Sequence, residues 1–294
     1  MKITNELNLP QPFVSAVESD HKFTPGRYST TDLLKGVREA ILRRRHDDEI
    51  ETDVADMMWL IFGTAVHSIL ENAEESATQL KENKIVIPLE SGYELSGIFD
   101  LYDDSTGTVT DYKTASVWKV IYGEWDDYKK QVLIYCWLLR KLGFDAKRGE
   151  IVAMLKDHSK TKAEVEANYP PHPLFRIGWN FTEADFNEID GFIKTRFAEL
   201  EAAEKLPDEK LPLCTKEERW GKDDKWAVIK KGNKRAAKLH NTPEDAEAHA
   251  KMLSEQQGCA YEIQYRPGED TKCLKYCSCR EFCDHYKQIA GDAE

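Results

Sequence analysis

The stretch SGIFDLYDDSTGTVTDYKTAS, from Ser96 to Ser116, holds the side chains of this 294-residue chain best suited to chemistry. Two runs of strand-forming residues flank the polar turn DDSTG. Asp100 ends the first run as GIFD, and Asp111, Tyr112 and Lys113 close the second. Strand side chains alternate between faces. Asp111 and Lys113 therefore share one face, while Tyr112 points the other way and leaves its carbonyl available. Pairing around the turn would bring Asp100 close to Asp111. Two adjacent carboxylates repel, and burial penalises both. A divalent cation relieves that repulsion, and oxygen donors without thiolates suit Mg²⁺ or Mn²⁺. A lysine beside such an ion can orient or deprotonate water, or stabilise charge on a phosphate. The chemistry that needs this set is metal-assisted phosphodiester hydrolysis. The same triplet also reads as an ordinary surface ion pair, so its neighbours must decide.

Two helical stretches bracket the hairpin. Upstream, MMWLIFGTAVHSILENAEESATQL repeats apolar residues at helical spacing, which predicts one long helix with its apolar face on the core. It carries His67, with Glu71 one turn later on the same face. Downstream, WDDYKKQVLIYCWLLRKLG predicts a helix ending at Gly143, with Gln131 and Tyr135 four residues apart. Taken singly, His67, Gln131 and Tyr135 read equally as packing residues, and Glu71 as a solvated one. STTDLLKGVREAILRRR predicts a helix behind the caps Ser29 to Thr31, followed by an acidic loop, HDDEIETDVAD. KIVIPLE, RGEIVAMLKD and LFRIGWNF read as strands, and TEADFNEIDGFIKTRFAELEAAE as an amphipathic helix capped by Thr182. Residues 1–27, punctuated by Pro10, Pro12 and Pro25, read as irregular. Strands interleaved with helices predict a mixed α/β core.

The full order is G-x-x-x-H, then G-x-x-D, D-Y-K and Q-x-x-x-Y. It resembles the RecB-type nucleases of the PD-(D/E)XK superfamily, over about Tyr28 to Asp157 together with the terminal cysteines. Within that group the chain looks most like CRISPR-associated iron–sulfur nucleases and phage-encoded exonucleases. The resemblance implies a restriction-endonuclease-like α/β fold over 28–205, a mixed central sheet flanked by helices. It implies His67, Asp100, Asp111 and the Tyr112 carbonyl as metal ligands, and Lys113 as the catalytic lysine. It implies Gln131 and Tyr135 as the motif that orients the site and the DNA backbone, and Glu71 is added behind the ligands. The expected activity is a Mg²⁺- or Mn²⁺-dependent exonuclease acting on DNA ends in recombination or repair, with a recombination or replication protein as partner. The rival reading is a non-catalytic DNA-binding or assembly subunit, against which the intact His-Asp-D-x-K set argues.

Four of the seven cysteines fall in CLKYCSCREFC: Cys273, Cys277, Cys279 and Cys283. Such a cluster suggests metal ligation before disulfides in a reducing compartment. Four thiolates suit a 4Fe–4S cluster or zinc. The resemblance implies iron–sulfur, with three C-terminal cysteines and a fourth ligand upstream of the nuclease core. No cysteine precedes Cys136, so Cys214 is the expected fourth ligand, with Cys279 competing. Free thiols remain the alternative. Residues 206–270 read as a ββαβ insertion that separates Cys214 from the Cys-rich segment 271–294. Its hairpin groups Lys230, Lys231, Lys234, Arg235 and Lys238 near Trp226, either for phosphate contacts or as a solvated turn. A net charge of −12 argues against a generic nucleic-acid coat but not against one local groove. No apolar run approaches about 20 residues, and the N-terminus lacks a signal-peptide core. The expectation is a cytoplasmic protein with no membrane contact.

Overall fold

A computed structural model describes residues 1–18, 22–74 and 76–291. The chain divides into two units, Met1–Pro207 and Asp208–Glu294. The first does not begin irregularly: β1 (Lys2–Thr4) and α1 (Gln11–Val17) precede β2 (Arg27–Ser29). A capping box then starts α2 (Thr30–Leu33), with the Ser29 hydroxyl accepting from the Asp32 N–H and the Asp32 carboxylate accepting from the Ser29 N–H. The single helix expected through Arg45 breaks after Leu33, and α3 (Val37–Arg45) restarts with Gly36 at its N-cap. The apolar pattern crosses the break because Leu33, Val37, Ile41 and Leu42 are all buried. β3 (Glu51–Asp53) lies in the expected acidic loop and pairs in parallel with β1.

The long helix is shorter than its pattern. α4 (Met58–Glu71) is followed by β4 (Gln79–Pro88), which begins where the helix was expected to continue; Glu75, in the same stretch, lies outside the described residues. α4 also does not bury its apolar face. None of its residues is buried, and Trp59, Leu60 and Ile69 are each more than half exposed. Only Ile61 packs into a small cluster, with Val17, Val54 and Met57. Val54–Glu71 is long and apolar enough by composition alone to cross a membrane.

The rest of this unit follows the pattern closely. β5 (Glu94–Asp103) and β6 (Thr108–Ala115) are the expected hairpin. Then come α5 (Val117–Tyr122), α6 (Asp126–Lys141), β7 (Arg148–Leu155), α7 (Lys160–Val165), β8 (Leu174–Asn180) and α8 (Glu183–Glu204). The six-stranded sheet runs β2-β5-β6-β7-β8, with β4 also on β5. β6 and β7 are parallel, which demands a crossover, and α6 supplies it. Its return is made at Gly143, whose φ of +92° a residue with a Cβ rarely adopts. α6 lies against β4 to β7, and α8 packs on α6 and α3. Val132, Ile134 and Leu138 of α6 are fully enclosed with Ile193 and Phe197 of α8. The sheet is thus mixed and flanked by helices, as the sequence predicts.

One detail of the sheet sets up the site. β4 runs along one edge of β5 from Glu94 to Asp103, with the ladder skipping Asp100. The other edge is shared: β2 takes Glu94 to Ser96 and β6 takes Leu101 to Asp103. Residues 97–100 have no strand partner on that edge. Gly97 opens the gap. A Cβ there would sit 2.7 Å from Leu138 Cδ1, 2.9 Å from Thr30 Oγ1 and 3.0 Å from Tyr135 Cε1, so only glycine lets α6 and α2 close over it.

The second unit contains the expected ββαβ order. β9 (Lys225–Lys230), β10 (Ala236–His240) and β11 (Tyr261–Arg266) form an antiparallel sheet in the order β10-β9-β11. α9 (Pro243–Gln257) packs Ala246 and Ala250 on Val228. Two short helices, α10 (Thr271–Lys275) and α11 (Asp284–Gly291), carry the terminal segment.

The Gly97 contacts carry a consequence for stability. Gly97→Ala is expected to cost about 1–3 kcal/mol by overpacking. Urea denaturation measures this, and an unchanged midpoint would mean that Leu138 and Tyr135 yield freely.

Candidate active site

The strand registers align three carboxylates. Leu101↔Thr110 is the last β5–β6 pair, and one step further lie Asp100 and Asp111. On the other edge, Lys81↔Leu101 and Asn83↔Phe99 flank the position where Glu82 faces Asp100. Glu82, Asp100 and Asp111 therefore stand in a row across β4, β5 and β6, and neither junction is ladder-paired. Glu82 adopts a φ of +48°, which costs a residue with a Cβ about 1–2 kcal/mol. Asp100 replaces the missing ladder bond with its side chain, Oδ2 accepting from the Tyr112 N–H at 2.5 Å.

Cations answer the row from α4 and β6. His67 Nδ1 lies 3.3 Å from Asp100 Oδ1 and 3.4 Å from Glu82 Oε1. The hydrogen bond to Asp100 is the main reason its pKa rises to about 9, which makes it an imidazolium among the carboxylates at neutral pH. Burial, and then the Asp100 charge, raises Glu82. Burial raises Asp111 too, opposed by the Lys113 ammonium paired with its Oδ2. The shared face of Asp111 and Lys113 is thus observed, and the Tyr112 ring lies 6.3 Å from that of His67. The Lys113 ammonium lies 5.4 Å over the Tyr128 ring.

α6 holds the row from the core side. Gln131 Nε2 donates to Asp111 Oδ1 at 3.4 Å and to the Tyr135 hydroxyl at 2.9 Å. Both residues are buried, at 7% and 5% exposure, and through Gln131 the pair can orient Asp111. Glu71 takes the solvated reading. Its side chain is exposed, its carbonyl accepts from Lys81 Nζ at 2.7 Å, and its charge adds to the raising of Glu82. Glu82, not Glu71, is the glutamate beside His67, and the sequence reading missed it. The strand was begun at KIVIPLE; continuing it back through QLKEN and counting register from Asp100 would have found the residue.

The donor set fits a hard divalent ion. Ligand atoms of His67, Glu82 and Asp100 lie within 4.8 Å of one another. Asp111 Oδ2 is buried and, apart from the Lys113 ion pair, accepts no hydrogen bond. Carboxylate oxygens with one imidazole suit Mg²⁺ or Mn²⁺.

A second group of donors sits in the second unit. A bridge between Gly221 and Asp270 joins the turn after Cys214 to the residues before Cys273. The Lys222 N–H donates to the Glu269 carbonyl at 2.9 Å, and the Lys272 N–H to that of Arg219 at 3.0 Å. Cys214 is thereby brought back to the terminal cysteines. Burial, then charge on Asp270, Cys277, Cys214 and Cys283, pushes the Cys273 thiol up to about 12. Cys279 is buried with its Sγ 3.6 Å from that of Cys277. Asp270 and His285 also approach Cys273. The Asp270 carboxylate, however, already accepts from His285 Nε2 at 2.6 Å and pairs with Arg219. Cys136 is packed in the core, its thiol donating to the Arg148 carbonyl at 3.5 Å. Lys230, Lys231, Lys234 and Arg235 are all exposed around the β9–β10 turn.

A search of curated proteins returns no significant relative. Among solved structures, SSO0001 is 17% identical with a TM-score of 0.43, the alignment covering 63% of this chain and 82% of that one. An alkaline exonuclease (LHK-Exo) from Laribacter hongkongensis is 15% identical at a TM-score of 0.38, covering 60% and 89%. A phage related exonuclease from Haemophilus somnus 129PT is 11% identical at 0.29, covering 57% and 74%. The sequence profile of the PD-(D/E)XK nuclease superfamily matches residues 29–284, from the cap of α2 past Cys283. That span takes in the carboxylate row, Lys113, the Gln131–Tyr135 pair and the terminal cysteines, and the chain belongs to the PD-(D/E)XK nuclease superfamily.

Proposed function

We propose that this nuclease is a Mg²⁺- or Mn²⁺-dependent deoxyribonuclease. The observation that carries the reading is the row Glu82–Asp100–Asp111, in register on three strands with Lys113 at its end. His67, Glu82, Asp100 and Asp111, with the Tyr112 carbonyl, would hold the ion. A bound divalent ion supplies Lewis acidity and a more acidic water. Lys113 holds its ammonium against Asp111 and over the Tyr128 ring, where it steadies negative charge growing on the phosphate. A water oxygen would bond to phosphorus as the P–O bond to the leaving nucleotide breaks, the water giving up a proton to solvent and the departing oxygen taking one up from it. Gln131 keeps Asp111 turned towards the row, and Tyr135 keeps Gln131 in place. Both are positioning residues. Exonuclease action on DNA ends, a role in recombination or repair, a recombination or replication protein as partner and a cytoplasmic setting rest on the resemblance of the motif order. So does the choice of iron–sulfur over zinc for Cys214, Cys273, Cys277 and Cys283, a ligand set supported by the grouping of charge around Cys273. Lys230, Lys231, Lys234 and Arg235 are proposed to contact phosphates, which their exposure supports. The boundaries 28–205, 206–270 and 271–294 remain the proposed division of labour.

Asp111→Ala or Lys113→Ala is expected to lower hydrolysis of labelled DNA by about a hundredfold or more while binding in EDTA survives. Activity near wild type in either variant rules out the assignment, and calorimetry with Mn²⁺ should show weaker binding in Glu82→Gln.

Anaerobically purified protein should be brown and contain iron and sulfide, and Cys214→Ser should lose both while Cys136→Ser keeps them. Zinc alone would overturn the cluster but keep the ligand set; no bound metal would overturn both.

Changing Lys230, Lys231, Lys234 and Arg235 together to Gln should weaken DNA binding for every sequence and flatten the log–log salt slope by about three. Unchanged affinity and slope would make the hairpin a solvated turn.

A further inference from the structure

Four aromatic side chains near the candidate site are exposed and serve neither the core nor the metal. Trp59 and Phe62, one turn apart on α4, are 54% and 40% exposed, with their rings edge to face at 6.2 Å. Trp118 and Tyr122, one turn apart on α5, are 52% and 66% exposed and stacked at 5.7 Å. Each such side chain forgoes roughly half of the about 1.5–3 kcal/mol that full burial contributes, and grouped exposure of this kind marks a binding surface.

Both pairs border the end of the strand that carries Lys113. α5 follows β6 directly, behind the Ser116 cap. Lys156, just past β7, donates its N–H to the Ala115 carbonyl at 3.0 Å and sets its ammonium 3.8 Å over the Trp59 ring. The next residue, Asp157, holds the start of α5, accepting from Ser116 Oγ at 2.6 Å and the Val117 N–H at 2.8 Å. The Trp59 pair and the Trp118 pair therefore flank one junction, at the C-terminal ends of parallel β6 and β7. α4 also carries His67, so one helix serves both the metal row and the aromatic surface.

Cations are interleaved with these rings. Lys156 lies on Trp59, and Lys119, next to Trp118, lies 4.1 Å over Tyr128 and pairs with the exposed Asp127 at 3.0 Å, a carboxylate that a phosphate would replace. Exposed aromatic rings with ammonium groups beside them match a strand whose bases are unstacked and whose phosphates follow. A duplex keeps its base faces inside the stack and offers phosphates and base edges, which would leave the rings unused.

We propose that Trp59 with Phe62 and Trp118 with Tyr122 form a stacking platform for unpaired bases, with Lys119 and Lys156 on the phosphates, so that the nuclease centre takes single-stranded DNA. This rests on the nuclease reading and adds the substrate's strandedness. A protein partner would use the exposed aliphatic residues of α4, Leu60 and Ile69, as much as its aromatics.

The test is binding by the full chain in EDTA, which needs no turnover. Fluorescence anisotropy would compare a labelled oligothymidylate with a blunt duplex, and tryptophan emission would be followed with the oligothymidylate. The single strand should bind more tightly and quench the emission. Trp59→Ala and Trp118→Ala should each weaken single-strand binding about five- to hundredfold, with Trp→Phe at either position restoring most of it. Duplex binding, and single-strand binding by Leu60→Ala and Ile69→Ala, should not change. Equal loss on duplex, no loss on either substrate, or matching loss in the two aliphatic variants would overturn the platform, the last pointing to a protein-docking face. Failure of the wild type to cut either substrate with Mg²⁺ or Mn²⁺ would instead sink the nuclease reading, whatever the binding shows.

Discussion

Three carboxylates in adjacent positions on adjacent strands repel one another, and burial of Asp100 and Asp111 removes the water that would screen them. Ordinary ladder pairing would fill both junctions with backbone hydrogen bonds and leave no room for chemistry. Here β5 yields part of one edge to β2 and part to β6, so the row falls in the interval between them. The Asp100 carboxylate then supplies a bond to the Tyr112 N–H that a paired backbone carbonyl would otherwise make. The charge is balanced by His67 from α4 and Lys113 from β6, and this balance is what a divalent ion would take over.

α6 ties that arrangement to the stability of the whole sheet. Its apolar residues form the core against four strands, while Gln131 of the same helix reaches Asp111 and is held by Tyr135. Gly97 lets the helix approach closely enough to do both. A shift of α6 would therefore open the core and turn Asp111 together. α4, by contrast, is held by few buried residues, so the candidate ligand it carries sits on the less constrained side of the site. Buried networks of this kind are costly when half satisfied, which explains why the rigid element orients the carboxylates.

The second unit solves a different problem. Its ββαβ fold buries a small apolar set, chiefly Ala227, Val228 and Ile229 of β9 with Ala246 and Ala250 of α9. The cysteines sit where its two ends meet, joined by the Gly221–Asp270 bridge. A metal or cluster at that point would cross-link the ends of a small fold that has a limited apolar core of its own.

What the sequence determined by itself was local. Alternation put Asp111 and Lys113 on one face, helical spacing put Gln131 beside Tyr135, and capping chemistry marked Thr182 and Gly143. The motif order along the chain was enough to identify the fold. What only the tertiary structure decided depended on pairing between distant segments. Glu82 enters the row only through the β4–β5 register, and Glu71, one helical turn from His67, is left outside it. β1 and β3 exist because they pair across nearly fifty residues, and Cys214 approaches Cys273 only when the ββαβ lobe closes on itself. α4 has the spacing of a buried helix yet remains exposed, because periodicity records which residues share a face and not what covers that face. Local spacing follows from backbone geometry, whereas register and burial follow from which distant surfaces meet.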